Sequence, residues 1–263
     1  MKLSIITINY NNLGGLKKTV ESLVSQSMQD YEWIVIDGGS MDGSKELIER
    51  YAQYMAYHVS EPDEGIYHAM NKGIRASHGE YLMFLNSGDY LYDKTVVERV
   101  IPLLNDKDIY IGRIHSLGKD NTDVMDELDY SSIGIINKLS FSWIPDQASF
   151  FKRSVFEAYG MYREDLKIIS DWWLYFRSLI MGKATIEAIP FTIANYDTTG
   201  ISATRKSLTG EEFSKAMEDY PRMKELFMFY GRNAEMIDAL HSNRVFFILF
   251  RFYFYIYRKL LRK

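Results

Sequence analysis

Short apolar runs, each closed by a cluster of Asn, Asp, Gly or Ser, constrain this chain more than any other feature. Residues 3–8, 33–36 and 81–85 are runs of strand length, rich in β-branched and aromatic residues, and a shorter strand is expected at 57–60. Their apolar residues do not alternate with polar ones, the pattern of strands buried on both faces of a parallel sheet. Between them lie segments of helical periodicity at 13–26, where Leu16, Val20, Leu23 and Val24 share one side, and at 44–53 and 64–76. Strand–helix alternation at this spacing predicts right-handed crossovers and an α/β doubly wound sheet. A helix at 94–104 and a strand at 108–113 continue the pattern, which then loosens into irregular or hairpin structure over 118–143. A strand at 148–152, a helix at 170–181, a strand at 185–194, a polar loop at 197–206 and helical structure beyond complete the reading.

In open α/β sheets ligands bind outside the carboxyl ends of the strands, so the residues following each strand are the informative ones. Here they are Asn9-Tyr10-Asn11-Asn12, Asp37-Gly38-Gly39-Ser40, Glu61-Pro62-Asp63-Glu64-Gly65 and Asn86-Ser87-Gly88-Asp89. Tyr10 can stack on a base, Asp37 can accept hydrogen bonds from a base or ribose, and Asp89 offers a hard oxygen to a divalent ion. Together they describe a site for a nucleoside diphosphate held through Mg2+ or Mn2+. Asp37 and Asp89 can equally be turn-forming or capping residues, although that local role does not explain the repetition after successive strands. Residues 9–15 lack the GxGxxG spacing of a dinucleotide site, and no GxSxG elbow is present. Cysteine is absent, which removes disulfides and thiolate chemistry, and the five histidines show no ligand spacing.

The 31 basic and 35 acidic residues give a net charge of −4, against the basic footprint of a nucleic-acid-binding protein. Six basic residues and no acidic one follow His241, so the first 240 residues carry −10. Residues 245–257 are apolar or aromatic except for Arg251, shorter than the ~20 residues of a spanning helix. Arg244, Arg251 and Arg258 fall on one stripe, as in a helix lying in the plane of an anionic membrane surface; a helix packed on the body or in a dimer is the other reading.

The strings Ser4-Ile5-Ile6-Thr7-Ile8-Asn9-Tyr10-Asn11-Asn12, Ile34-Val35-Ile36-Asp37-Gly38-Gly39-Ser40-Met41-Asp42-Gly43, Ser60-Glu61-Pro62-Asp63-Glu64-Gly65-Ile66-Tyr67 with Ala69-Met70-Asn71-Lys72-Gly73-Ile74, and Phe84-Leu85-Asn86-Ser87-Gly88-Asp89 occur in this order. They resemble the inverting nucleotide-sugar glycosyltransferases of family two, which have the GT-A fold. The resemblance implies a Rossmann-like doubly wound mixed sheet binding a nucleoside-diphosphate sugar, a UDP-sugar above others. Asn9, Tyr10, Asp37, Asp63, Lys72 and Asn86 become candidate donor-binding residues, with Asp89 at the metal–diphosphate position. The family's metal motif usually has two carboxylates as Asp-x-Asp, and here only Asp89 is kept.

In the same family an acid opening a later helix takes the proton from the acceptor hydroxyl, and Ser170-Asp171-Trp172-Trp173-Leu174 resembles that place. Asp171 is therefore the candidate base, with Glu164 and Asp165 as nearby competitors and helix capping as its structural alternative. Asp146 and Gln147 resemble a segment beside the acceptor, with Asp146 where the family usually has His. Trp172 is a candidate for stacking on the acceptor sugar, or a core residue. The segment 196–202 resembles a mobile loop closing over the donor. The expected organisation is a GT-A domain at 1–205, with a donor half at 1–115 and an acceptor half at 116–205, followed by a helical membrane-interface extension at 206–263 with its basic tail at 243–263. The expected activity is inverting transfer of a sugar to a glycan or lipid-linked glycan in cell-surface polysaccharide synthesis. The expected location is cytoplasmic and peripheral to the inner face of the plasma membrane, since no leader precedes the first strand. A sugar-nucleotide nucleotidyltransferase and a non-catalytic membrane-associated interaction module are the competing readings.

Overall fold

A computed structural model describes residues 1–116, 135, 139, 144–197 and 206–233. The irregular segment expected at 118–143 falls almost wholly outside them, as do the greater part of the expected mobile loop, 198–202, and the basic tail, 243–263.

The apolar runs become strands β1 (Leu3–Asn9), β2 (Glu32–Asp37), β3 (Tyr57–Ser60) and β4 (Tyr81–Phe84). They alternate with helices α1 (Leu13–Val24), α2 (Ser44–Tyr51) and α3 (Ile66–Ala76). The chain continues through β5 (Tyr90–Leu91), α4 (Val96–Val100), β6 (Ile109–Ser116), β7 (Ser149–Lys152), α5 (Arg153–Tyr159), α6 (Ser170–Tyr175) and β8 (Ile186–Tyr196). Two helices follow, α7 (Lys206–Ala216) and α8 (Pro221–Arg232).

Among the described residues the eight strands form one sheet in the order β3-β2-β1-β4-β7-β6-β8-β5. β3, β2, β1 and β4 are parallel; β7 is antiparallel to both its neighbours, and β5 is antiparallel to β8. This is the doubly wound mixed sheet expected from the sequence. The chain leaves β1 toward β2 and β3, then returns to lay β4 on the other side of β1. The order thus reverses between β1 and β4, the switch point at which α/β sheets open a crevice.

Side chains alternate between two cores. Ile5, Val35 and Met83 face α1, α2 and α4; Ile6, Ile34 and Phe84 face α3, α5, α6 and the last two helices. Burial on both faces is why the strands read as unbroken apolar runs. The described part of the expected extension packs here: Ala216 and Met217 at the end of α7 and Met223 and Phe227 of α8 are buried in the same core as Trp173 and Phe176.

Three local expectations change. The helix expected at 94–104 is α-helical only to Val100 and then tightens into a 3-10 turn, Ile101–Leu103, because Pro102 lacks an N–H and crowds the preceding turn. The helix expected at 170–181 turns from α to π geometry over Phe176–Met181. Ala148, expected to begin a strand, closes a 3-10 turn, Asp146–Ala148, immediately before β7. Helix α5 was not legible, since only Val155 and Phe156 of its seven residues are buried.

Candidate functional site

The registry of β1, β2 and β3 places Asn9 opposite Asp37 and Asp37 opposite Ser60, so three polar side chains stand in a row at the carboxyl edge. Asp37 is fully buried. Its Oδ1 accepts from Asn9 Nδ2 at 2.7 Å and Ser40 Oγ at 2.6 Å, and its Oδ2 accepts from Ser40 N at 2.9 Å and Ser60 Oγ at 2.6 Å. Four donors hold this carboxyl below the ordinary carboxylate range against the opposing effect of burial, the largest single influence. Each oxygen already accepts two donors, so Asp37 holds the turn at Ser40 and ties together the ends of β1, β2 and β3.

Above that row lies a cleft of about 750 Å³ between the ends of β1, β2 and β4 on one side and the segments before α6 and after β8 on the other. Asn9, Tyr10, Asp63, Asn86, Asp89, Asp146, Gln147 and Asp171 all line it, so eight of the eleven candidate residues converge. Tyr10 is 66% exposed at the rim, its ring open for stacking. The backbone after it turns at Asn11, whose φ of 46° lies in the left-handed region that Asn tolerates; Asn11 N donates to Ser40 Oγ at 2.7 Å. Gly38 lies close under two candidate side chains: a Cβ there would stand 2.6 Å from Asp63 Oδ2 and 3.1 Å from the Tyr10 ring.

Besides Asp37, two candidates lie elsewhere. Lys72 does not line the cleft; its ammonium pairs with Glu61 at 2.6 Å and reaches the Pro62 carbonyl, tying the Glu61-Pro62-Asp63 turn to α3. Trp172, expected on the acceptor side, is turned into the aromatic core. It stacks on Phe176 at 5.4 Å, meets Phe213 and Phe227 edge-on, and donates from Nε1 to the Leu139 carbonyl. Phe213 comes from α7 and Phe227 from α8, so these two helices cover the Trp172 ring.

The cleft's far wall is carboxylate-rich. Asp89 is 5% exposed and accepts from Asp197 N at 2.9 Å; burial, with the neighbouring Asp197 charge, pushes it up to about 7. Asp171 opens α6, accepting from Trp172 N at 2.7 Å and from the Tyr67 hydroxyl at 3.2 Å. Burial pushes Asp171 up to about 6. Asp146 is raised well above the carboxylate range, first by burial and then by Asp171 and Asp89. The competitors of Asp171 stand outside: Glu164 accepts from Asn71 Nδ2 at 2.7 Å, and Asp165 is paired with Arg163 and Lys215, which hold it very low. A carboxylate that changes charge near neutrality and faces a cleft is equipped to accept a proton.

The donor set around Asp89 fits a hard divalent ion. Asp89 is buried, and among the described residues Asn86 Oδ1 and Gln147 Oε1, which line the same cleft, are buried side-chain oxygens without a partner. No three Asp, Glu, His or Cys side chains of the described residues are grouped closely enough to cage an ion. An ion here would take the rest of its coordination from phosphate oxygens and water, as magnesium commonly does.

Tyr67 and Lys167, given no role from the sequence, also line the cleft, as do Tyr196 and Asp197 of the segment expected to close over the donor. Tyr67 sits on the apolar face of α3 with Met70 and Ile74, and its burial hides the hydroxyl's reach to Asp171.

The sequence model of Glycosyl transferase family 2 matches residues 4–178, and the chain belongs to that family. An uncharacterized glycosyltransferase of Mycobacterium tuberculosis is 33% identical over 232 residues, covering 87% of this chain and 85% of its own length. A PGL/p-HBAD biosynthesis glycosyltransferase of Mycobacterium bovis is 24% identical over 223 residues, covering 81% and 83%. The fold is shared with S. aureus TarS 1–349, at a TM-score of 0.69 and 17% identity over 92% of this chain and 74% of that one. It is shared also with the mannosyltransferase PcManGT of Pyrobaculum calidifontis in complex with GDP-Man and Mn2+, at a TM-score of 0.63 and 17% identity over 92% and 75%. Against the longer TarS chain, this chain spans 43% of the length. The protein is a glycosyltransferase with a GT-A-like fold.

Proposed function

We propose that the protein is an inverting glycosyltransferase that moves a sugar from a nucleoside-diphosphate donor, a UDP-sugar above others, to a hydroxyl of a glycan or lipid-linked glycan in cell-surface polysaccharide synthesis. One observation carries the reading: a single cleft at the switch point holds an open aromatic ring at Tyr10, a buried carboxylate at Asp89 and a second carboxylate at Asp171 poised near neutrality. TarS has been captured with UDP-GlcNAc and PcManGT with GDP-Man, which supports a nucleotide-sugar donor here.

Tyr10 stacks on the base, and Asn9, Asp63 and Asn86 bind the donor from the strand ends. Asp37 and Lys72 act from beneath, fixing the turns that carry Gly38 and Asp63. Asp89 with Asn86 and Gln147 would hold Mg2+ or Mn2+, which would supply positive charge to neutralise the leaving diphosphate. Asp171 accepts the acceptor's proton as its oxygen forms the new bond to the anomeric carbon and the bond to the diphosphate breaks. A single displacement of this kind inverts the anomeric centre. Tyr67 orients the Asp171 carboxyl, and Asp146 and Gln147 face the acceptor. The basic stripe of residues 243–263 attaches the enzyme to an anionic membrane surface, close to lipid-linked acceptors.

A panel of UDP-, GDP- and dTDP-sugars, assayed with Mn2+ by thermal shift and by release of nucleoside diphosphate, tests the reading. Stabilisation and slow hydrolysis with at least one donor are expected. No response to any nucleotide would favour the interaction-module reading, and pyrophosphate-dependent formation of nucleoside triphosphate would favour a nucleotidyltransferase.

A further inference from the structure

We infer that Glu212, on α7, is a positioning residue for Asp171, holding the segment 167–169 in the place from which Asp171 and Tyr67 work. The inference rests on Asp171 being the base.

Glu212 is 7% exposed, and its two carboxylate oxygens accept three successive backbone N–H groups: Lys167 at 2.6 Å, Ile168 at 2.9 Å and Ile169 at 3.3 Å. Burying a carboxylate is costly, and three N–H groups aimed at one point are what makes an anion suitable there. The clamped segment leads directly into the catalytic wall. The Ile168 carbonyl accepts from the Tyr67 hydroxyl at 2.6 Å, the same hydroxyl that lies 3.2 Å from Asp171 Oδ1. Ile169 precedes Ser170 and Asp171 at the start of α6, and Lys167 and Ile168 line the cleft beside Asp171. A second tether runs from the same face of α7. Lys215, one helical turn after Glu212, pairs with Asp165 at 2.9 Å and reaches its carbonyl at 3.2 Å.

Glu212 therefore acts on Asp171 in two separable ways. Its hydrogen bonds set the position of the segment, and its negative charge favours the protonated form of Asp171. The groups facing Asp171 are Tyr67 from α3, Asp146 from the turn before β7, Tyr162 and Lys167 from the segment before α6 and Glu212 from α7. Burial is the largest influence on Asp171, and Glu212 adds to it in the same direction. Neutralising Glu212 lowers the affinity of Asp171 for its proton, so activity persists to lower pH even as its plateau falls.

The test measures hydrolysis of whichever donor the panel above identifies, as kcat and KM across the acid limb, in wild type, Glu212→Gln, Glu212→Asp and Asp171→Asn. UDP affinity with Mn2+ and thermal unfolding are measured in parallel. Glu212→Gln is expected to lower kcat about 10²-fold, the scale of an ångström-sized misplacement, with KM and UDP affinity unchanged and the acid limb moved to lower pH. Glu212→Asp keeps the charge on a shorter stem, so kcat falls while the acid limb stays at its wild-type position. Wild-type kcat and acid limb in both variants would overturn the inference. So would a joint loss of stability, UDP affinity and kcat in Glu212→Gln with no movement of the limb, the signature of a merely structural residue. If Glu212→Gln does not fold, Glu212→Asp decides: wild-type kcat overturns the inference and reduced kcat at unchanged KM supports it. Unchanged hydrolysis in Asp171→Asn would mark failure of the base assignment itself, separately from Glu212.

Discussion

Replacing Asp171 by Asn should make the protein more stable above neutral pH while removing its catalysis. Burial raises the Asp171 carboxyl from its ordinary 3.8 to about 6. A shift of that size corresponds to roughly 3 kcal/mol of preference for the protonated form in the folded state. Because the folded-state value is the higher one, this contribution is fully present below about pH 4 and is lost as pH rises through 6. Asparagine has nearly the same shape, and its amide oxygen still accepts from Trp172 N and Tyr67, but it carries no charge to desolvate. The variant should gain about 1–3 kcal/mol at pH 7.5 and nothing at pH 4, the lower figure allowing for solvent at the cleft mouth. Urea unfolding at the two pH values measures the difference. Donor hydrolysis should fall by ~10²–10⁴, the usual contribution of a general base. A variant less stable than wild type at pH 7.5, or equally stabilised at both pH values, would refute the attribution to a desolvated charge.

Asp89→Ala is expected to abolish the Mn2+-dependent part of UDP affinity in calorimetry, since it removes the buried carboxylate beside Asn86 and Gln147; unchanged affinity would reassign the metal. Asp37→Ala strips the partner from Asn9 Nδ2, Ser40 N and two hydroxyls, and should cost about 2–4 kcal/mol in urea unfolding. A loss of UDP affinity without that loss of stability would return Asp37 to the base. Deleting residues 243–263 should release the protein from anionic vesicles in flotation while leaving UDP binding intact, and salt should weaken the full-length protein's attachment only in part. Equal flotation of both forms would favour a tail packed on the body or in a dimer.

The convergence of the strand-end residues on one cleft was legible because local rules govern it. Strands buried on both faces announce themselves as apolar runs, and the polar residues closing them fall at one edge of a parallel sheet whatever the details of packing. Legibility ended where a side chain's direction depends on a remote partner. Asp37 turns beneath the cleft because Asn9 and Ser60 stand in register on either side of it, and that pairing appears only once β1, β2 and β3 are aligned. Trp172 follows Asp171 in the sequence yet packs into the aromatic core, since Phe213 and Phe227 arrive from α7 and α8 to cover it. Glu212 sits in a helix with no catalytic motif, and its role is visible only from the N–H groups it meets. The same helices show that the chain beyond residue 205 is in part core: Met217 and Phe227 are buried with Trp173 and Phe176 behind the segment that carries Asp171.

The central claim is a single displacement at the anomeric carbon assisted by Asp171, and the stereochemistry of the first sugar released tests it most directly. Proton NMR, recorded while an α-linked nucleotide sugar is hydrolysed with Mn2+ present and before mutarotation, distinguishes the two anomers. The β anomer should appear first in wild type and fail to accumulate in Asp171→Asn. Initial release of the α anomer, or β release undiminished in the variant, would contradict the account.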